Sequence, residues 1–254
     1  MSSLEFVQFQ ARDDNFGVLI HDPNSGRTAA VDAPETAAVE AALATRNWQL
    51  NTLLITHHHH DHVAGLADLK QRHGCEVIGP RAEADKIIGL DRTVAEGDAL
   101  ELFGEAVTVL DTPGHTLGHI VYYLPTAGVL FAGDTLFSLG CGKLFEGTPA
   151  QMWGSLQKIR ALPAETTVYV GHDYTVENGE YALQWEPGNV ALQQRMAEAR
   201  DNIAKQQPTL PTTLAQELAT NPFLRPDAPA LRETLNMQTA SDLDVFTRVR
   251  ELRG

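Results

Sequence analysis

Four times within the first 175 residues, an apolar run of strand length gives way to a side chain able to bind a metal ion. The first case, LLITHHHHDH (residues 53–62), places five histidines and an aspartate directly after the run. VTVLDTPGHT ends in His115, GVLFAGDT in Asp134 and TTVYVGHDYT in His172. If these strands share a sheet with like ends together, the loops meet at one edge, where α/β folds build their sites. A chain patterned this way is constrained to an α/β body before anything else about it is known.

The spacing inside the histidine run carries its own information. In an extended segment His57 and His59 point to one side while His58 and His60 point away. Asp61 and His62 continue the cluster at the entry to the next helix. The pattern H-x-H-x-D-H holds more ligands than a single four-coordinate ion uses. Adding His115, Asp134 and His172 gives seven candidates, a number that fits two ions bridged by a shared carboxylate. Nitrogen and carboxylate donors without cysteine suit zinc, manganese or iron. Simpler roles exist for several members. Asp61 fits a helix N-cap, His58 and His60 fit packing positions, and His119 fits a neighbour that orients a ligand. His21 and His73 read as surface residues. No histidine follows residue 172.

Around this cluster the first two-thirds of the chain alternate strands and helices. FGVLIHD and RTAAVD read as a hairpin across the turn PNSG, and PETAAVEAALATRN as a helix with Pro34 in its first turn. NTLLIT is a buried strand, and VAGLADLKQRHG a helix stopped by Gly74. CEVIG, AVTVLD, IVYYL, GVLFAG and TTVYVG are further strands. After about residue 173 the strands stop. NVALQQRMAEARDNIAKQQ, TTLAQELAT, APALRETLNM and LDVFTRVREL carry helical spacing, interrupted by PTLP and NPFLRPDAP. The expected division is therefore an α/β domain over residues 1–173 and a helical domain over 174–254.

Composition narrows the partners. A formal net charge of −14 disfavours nucleic acid and anionic membrane, both of which demand cationic surface. MSSLEFVQFQARDDN has neither the basic nor the apolar region of a signal peptide, and no run approaches membrane-spanning length. The expectation is a cytoplasmic monomer with Cys75 and Cys141 as reduced thiols.

THHHHDH, DTPGHTLGH, FAGDTLF and VGHDYT resemble the metallo-β-lactamase fold superfamily. GCGKLFEGTP, GHDYT and the tail with NPFLR are similar, more narrowly, to the hydroxyacylglutathione hydrolases, or glyoxalases II. The resemblance implies an αββα sandwich with a C-terminal helical domain and two divalent ions, zinc first, with iron or manganese as alternatives. It assigns His57, His59 and His115 to one ion and Asp61, His62 and His172 to the other, with Asp134 bridging them and the set holding a catalytic hydroxide. The implied reaction is hydrolysis of S-lactoylglutathione to lactate and glutathione, a step of methylglyoxal detoxification. A thioester carbonyl is already electrophilic, so what the reaction lacks at neutral pH is hydroxide, which a metal pair supplies.

Substrate binding follows the same resemblance. Cations at Lys143, Arg250 and Arg253 match positions that bind the glycine carboxylate of glutathione, and Tyr174 matches a tyrosine that contacts its backbone. Phe145 departs from the pattern, since some members carry there a tyrosine that hydrogen-bonds glutathione. Arg253 stands where lysine is common and keeps the charge. Arg250 and Arg253, three apart on one helical face, could instead complement the C-terminal end of the last helix. Within the superfamily, persulfide dioxygenases use one iron. One major β-lactamase subclass has cysteine at the position of Asp134, and members that process RNA act on polyanions. A non-catalytic metal-binding scaffold is the alternative from another class.

Overall fold

The computed structural model describes residues 2–254 and divides into two compact units. The first comprises residues up to Asp111 together with Leu117–Gly133, and the second comprises Thr112–Thr116 and Asp134–Gly254.

The first unit is built on a mixed sheet ordered β1 (Glu5–Ala11), β2 (Asn15–Asp22), β3 (Arg27–Val31), β4 (Leu50–Leu54), β5 (Glu76–Pro80) and β6 (Arg92–Val94). Strands β1 to β3 run antiparallel, and β3 to β6 are parallel. The β2–β3 hairpin turns through Pro23–Gly26, as PNSG predicts. Helices α1 (Thr36–Arg46), α2 (His60–Val63) and α3 (Leu66–His73) complete the parallel crossovers. Val39, Leu43, Leu66 and Leu69 pack with Leu19, Leu53 and Val77 into one buried cluster. Each such side chain contributes roughly 1.5–3 kcal/mol on leaving water.

The other strands of this unit, β7 (Leu100–Leu102), β8 (Glu105–Asp111), β9 (Ile120–Leu124) and β10 (Val129–Phe131), form antiparallel pairs in that order. The Tyr122 hydroxyl donates to the Ile55 carbonyl (2.8 Å) and the Ile120 amide to the Thr56 carbonyl (3.0 Å). These bonds fix the start of β9 against the residues that follow β4.

The second unit holds a short hairpin, β11 (Leu136–Phe137) with β12 (Gly140–Cys141), and helix α4 (Pro149–Arg160). Strand β13 (Thr167–Tyr169) pairs antiparallel with β14 (Thr212–Thr213). Helices α5 (Thr175–Trp185), α6 (Val190–Ala204), α7 (Leu214–Thr220), α8 (Pro229–Leu235) and α9 (Asp242–Arg253) make up the tail. Thr148, Thr213 and Ser241 each form a capping box with the residue three positions on, contributions of about 1 kcal/mol apiece.

Several expectations change. Pro34 lies before α1, whose first residue is Thr36, so the proline is outside the helix. The helix expected from Val63 to Gly74 is two, because the Gly65 amide bonds the Ala33 carbonyl (2.8 Å) and a Cβ there would meet the Thr36 nitrogen at 2.8 Å. Strands do not stop at residue 173, since Thr212–Thr213 returns to pair with β13. His21 is not a surface residue. It is buried, with its ring stacked 4.1 Å from that of Trp48 and Nδ1 bonded to Thr28 Oγ1 (2.9 Å). β2 is buried on both faces from Gly17 to Asp22, so His21 is covered whichever way it points.

Candidate metal and substrate site

In the first unit, β4 runs into Ile55, Thr56 and His57, all fully buried. The Thr56 hydroxyl donates to the Asp32 carboxylate (3.0 Å to Oδ2), leaving its oxygen to accept from His57 Nδ1 at 3.0 Å. Asp32 Oδ2 also accepts from His62 Nδ1 at 2.8 Å. One carboxylate therefore orients two imidazoles, directly and through a hydroxyl, and fixes both with the proton on Nδ1 and the lone pair on Nε2. The His57 ring lies 4.1 Å from that of His62 and 4.7 Å from that of His59. Asn15 Nδ2 donates to Asp61 Oδ2 (3.0 Å), holding that carboxylate beside His62, whose Nε2 is 3.7 Å away.

The outward pair behaves as alternation predicts. His58 turns to Glu83, with its amide on Oε2 at 2.6 Å and Nδ1 at 2.9 Å from the same oxygen. His60 is exposed. Asp61 is not an N-cap, because α2 begins one residue before it. His119 is fully buried, with its ring 4.7 Å from that of His57, and directly precedes β9. Asp32 is the residue that sequence reasoning missed. It ends the run RTAAVD in the left-handed region (φ 60°), repeating the strand-then-carboxylate form of the other loops.

In the second unit, His115 Nδ1 donates to the Lys143 carbonyl at 2.8 Å, which again leaves the lone pair on Nε2. Asp134 Oδ2 lies 3.4 Å from both His115 Nε2 and His172 Nε2. A carboxylate oxygen facing an imidazole lone pair is repulsive unless a cation stands at that point, so this donor set fits a metal ion. Gly142 permits the approach, because a Cβ there would meet the Asp134 carbonyl oxygen at 1.9 Å. The Tyr174 hydroxyl lies 3.2 Å from His172 Nδ1.

Beside these residues a cleft of about 230 Å³ is lined by Phe137, Cys141, Lys143, Tyr174, Glu177, Asn178, Arg250, Arg253 and Gly254. Three cations and one carboxylate face it, in a chain whose net charge is −14. The Arg250 guanidinium is buried. It donates to the carbonyls of Cys141 (3.3 Å) and Gly254 (2.8 Å) and lies 5.4 Å from the Phe223 ring centre. Arg253 stacks on Tyr181 at 5.5 Å. Phe145 is 61% exposed, with its ring between His115 (5.3 Å) and the Lys143 ammonium (5.7 Å). Burial pushes the Cys141 thiol up to about 11, against the pull of Arg250, so it is a poor nucleophile. Both cysteines are free, as expected, and both are buried.

The expected donors thus fall into two sets, His57, His59, Asp61 and His62 in one unit and His115, Asp134 and His172 in the other. All five expected substrate contacts lie in the second unit, and Phe145 alone of them does not line the cleft. Among the described residues, no helix is long and apolar enough to cross a membrane.

Residues 17–172 match the model of the metallo-β-lactamase superfamily, and residues 173–254 match that of the hydroxyacylglutathione hydrolase C-terminus. The chain is 54% identical to a hydroxyacylglutathione hydrolase of Bartonella tribocorum, over 96% of each chain. It is 50% identical to one of Rhizobium meliloti, over 99% of this chain and 98% of that one. Among solved structures it is similar to ETHE1 from Myxococcus xanthus, with a TM-score of 0.69, 25% identity and coverage of 97% of this chain and 90% of that one.

Proposed function

Since the chain belongs to the hydroxyacylglutathione hydrolase family and has the α/β metallo-β-lactamase fold with a helical C-terminal region, we propose that it hydrolyses S-lactoylglutathione at a pair of divalent metal ions. The observation that carries this reading is Asp134 Oδ2 at equal distance, 3.4 Å, from two imidazole Nε2 atoms, the placement a bridging carboxylate needs. In this reading one ion would be held by His57, His59, His115 and Asp134, and the other by Asp61, His62, Asp134 and His172. Zinc suits these donors best, with iron and manganese also compatible.

When bound, such a pair supplies a nucleophile by lowering the pKa of water to about 7 and polarises the thioester carbonyl. The chain's own residues do the rest. Asp32, Thr56 and the Lys143 carbonyl hold three ligand imidazoles in one tautomer. Lys143, Arg250 and Arg253 take the glycine carboxylate of glutathione, and Tyr174 contacts its backbone. A thiolate leaves readily, so no general acid is required.

The division into a metal-binding domain over residues 1–173 and a substrate-binding domain over 174–254 belongs to the same reading. So does a cytoplasmic monomer that binds neither nucleic acid nor membrane, in keeping with the charge of −14. Metal analysis of the purified protein, combined with turnover of S-lactoylglutathione, tests the proposal. Two ions per chain and turnover support it, and a metal-loaded protein without thioesterase activity refutes it.

A further inference from the structure

The segment NPFLR (residues 221–225) has no part in the chemistry above, yet its asparagine is fully buried. Asn221 Nδ2 donates to the carbonyls of Phe137 (3.2 Å) and Gly140 (2.9 Å), which face each other across the β11–β12 hairpin. It also lies 3.0 Å from Glu217 Oε2, and its own Oδ1 accepts from the Phe223 amide at 3.0 Å. Glu217 in turn accepts from the Leu139 amide (2.8 Å), and Asn178 donates to the Ser138 carbonyl (3.1 Å). Every residue from 137 to 140 is thus held by a side chain of the helical tail.

That support is needed. A two-stranded hairpin with two residues per strand is not stable by itself, and Leu139 sits in the left-handed region at φ 59°, which is costly for a residue with a Cβ. Lys143 follows β12 by two residues. The Cys141 carbonyl at the end of β12 accepts from Arg250, whose guanidinium rests on Phe223, two residues after Asn221. One short segment therefore supports both cationic walls of the cleft.

We propose that Asn221 is a positioning residue for substrate recognition, which with Phe223 fixes the separation of Lys143 and Arg250 that a carboxylate of the substrate must fit. The inference rests on the function proposed above. Losing the hairpin bonds lets the Lys143 wall drift from the Arg250 wall. The loss falls on binding of the glutathione portion, far from the reacting carbonyl.

The test uses the full-length, metal-loaded protein. Asn221→Ser keeps a short oxygen that can cap the Pro222–Leu224 turn, but it cannot reach the hairpin carbonyls. S-lactoylglutathione is compared with a short acyl thioester that lacks glutathione. The expected result is a KM for S-lactoylglutathione raised about tenfold, kcat within about twofold, the short thioester barely affected and metal content unchanged. An unchanged KM overturns the proposal, as does an equal loss on both substrates accompanied by loss of metal. Should Asn221→Ser fail to fold, Phe223→Leu keeps an apolar side chain in the core beside Tyr181 and Phe246 but removes the ring beneath Arg250. It must show the same selective rise in KM, and its absence overturns the proposal. A wild-type protein that does not turn over S-lactoylglutathione refutes the function itself, whereas an active wild type with an unaffected Asn221→Ser refutes only the positioning role.

Discussion

His62 Nδ1 and Asp32 Oδ2 lie 2.8 Å apart, and both side chains are buried. The same carboxylate reaches His57 through the Thr56 hydroxyl. Removing its charge while keeping its shape loosens two ligands at once. Asp32→Asn is predicted to lower metal affinity about 10–100-fold, the usual cost of losing a partner behind a ligand. Competition with a chelator measures it, and unchanged affinity means that Asp32 is only a structural carboxylate.

Arg250 caps carbonyls and faces the cleft, so the two roles considered from sequence are not exclusive. A charge-assisted contact is worth about 1.5–3 kcal/mol, and each 1.4 kcal/mol is a factor of ten. Arg250→Ala is predicted to raise KM for S-lactoylglutathione on the order of tenfold with little change in kcat, and also to lower Tm. A lower Tm with unchanged KM, for Arg250→Ala and Arg253→Ala alike, leaves recognition to Lys143 and Tyr174.

Glu217 is fully buried, and burial raises its carboxyl above the ordinary value of 4.5, opposed by bonds from Thr212, Leu139 and Asn221. Below 4.5 the folded and unfolded chains are both protonated there. As pH rises toward the raised folded value, the unfolded chain loses its proton first, so wild-type stability falls across that window. Glu217→Gln keeps the shape and an acceptor oxygen without this titration. Its Tm is predicted to gain on the wild type as pH rises above 4.5 and to hold that gain at neutral pH. A constant difference across pH contradicts the assignment.

A chain cut after residue 175 is predicted not to give a stable metal-binding body. The second unit spans Thr112–Thr116 and Asp134–Gly254, and such a cut removes Asn178, Glu217 and Asn221 from the hairpin carbonyls and amide that they satisfy. Without them the hairpin, two residues per strand, has nothing to hold it. A folded, metal-loaded truncated protein, seen by circular dichroism and metal analysis, refutes this.

Much of the site is legible in the sequence because its grammar is local. A strand sets the direction of the chain, alternation sorts His57 and His59 from His58, and the ligand follows within a few residues. Asp32 was hidden because its role is to serve His57 and His62, about 25 to 30 residues on, a relation that no spacing encodes. Asn221 was hidden likewise, since its bonds span 81 to 84 residues. His21 escaped because a histidine next to Asp22 at the end of a strand reads as exposed until its partners, Thr28 and Trp48, are known. Strand β14 has two residues and leaves no periodicity to read.

The proposed function requires Asp134 to bridge two ions. Metal content and S-lactoylglutathione turnover, measured side by side for Asp134→Ala and His58→Ala, decide whether it does. His58 faces Glu83, so its variant is predicted to keep two ions and most of its activity. Asp134→Ala is predicted to lose metal and to fall in kcat/KM by orders of magnitude. Comparable activity in the two variants, with metal content unchanged in both, would contradict the dinuclear assignment.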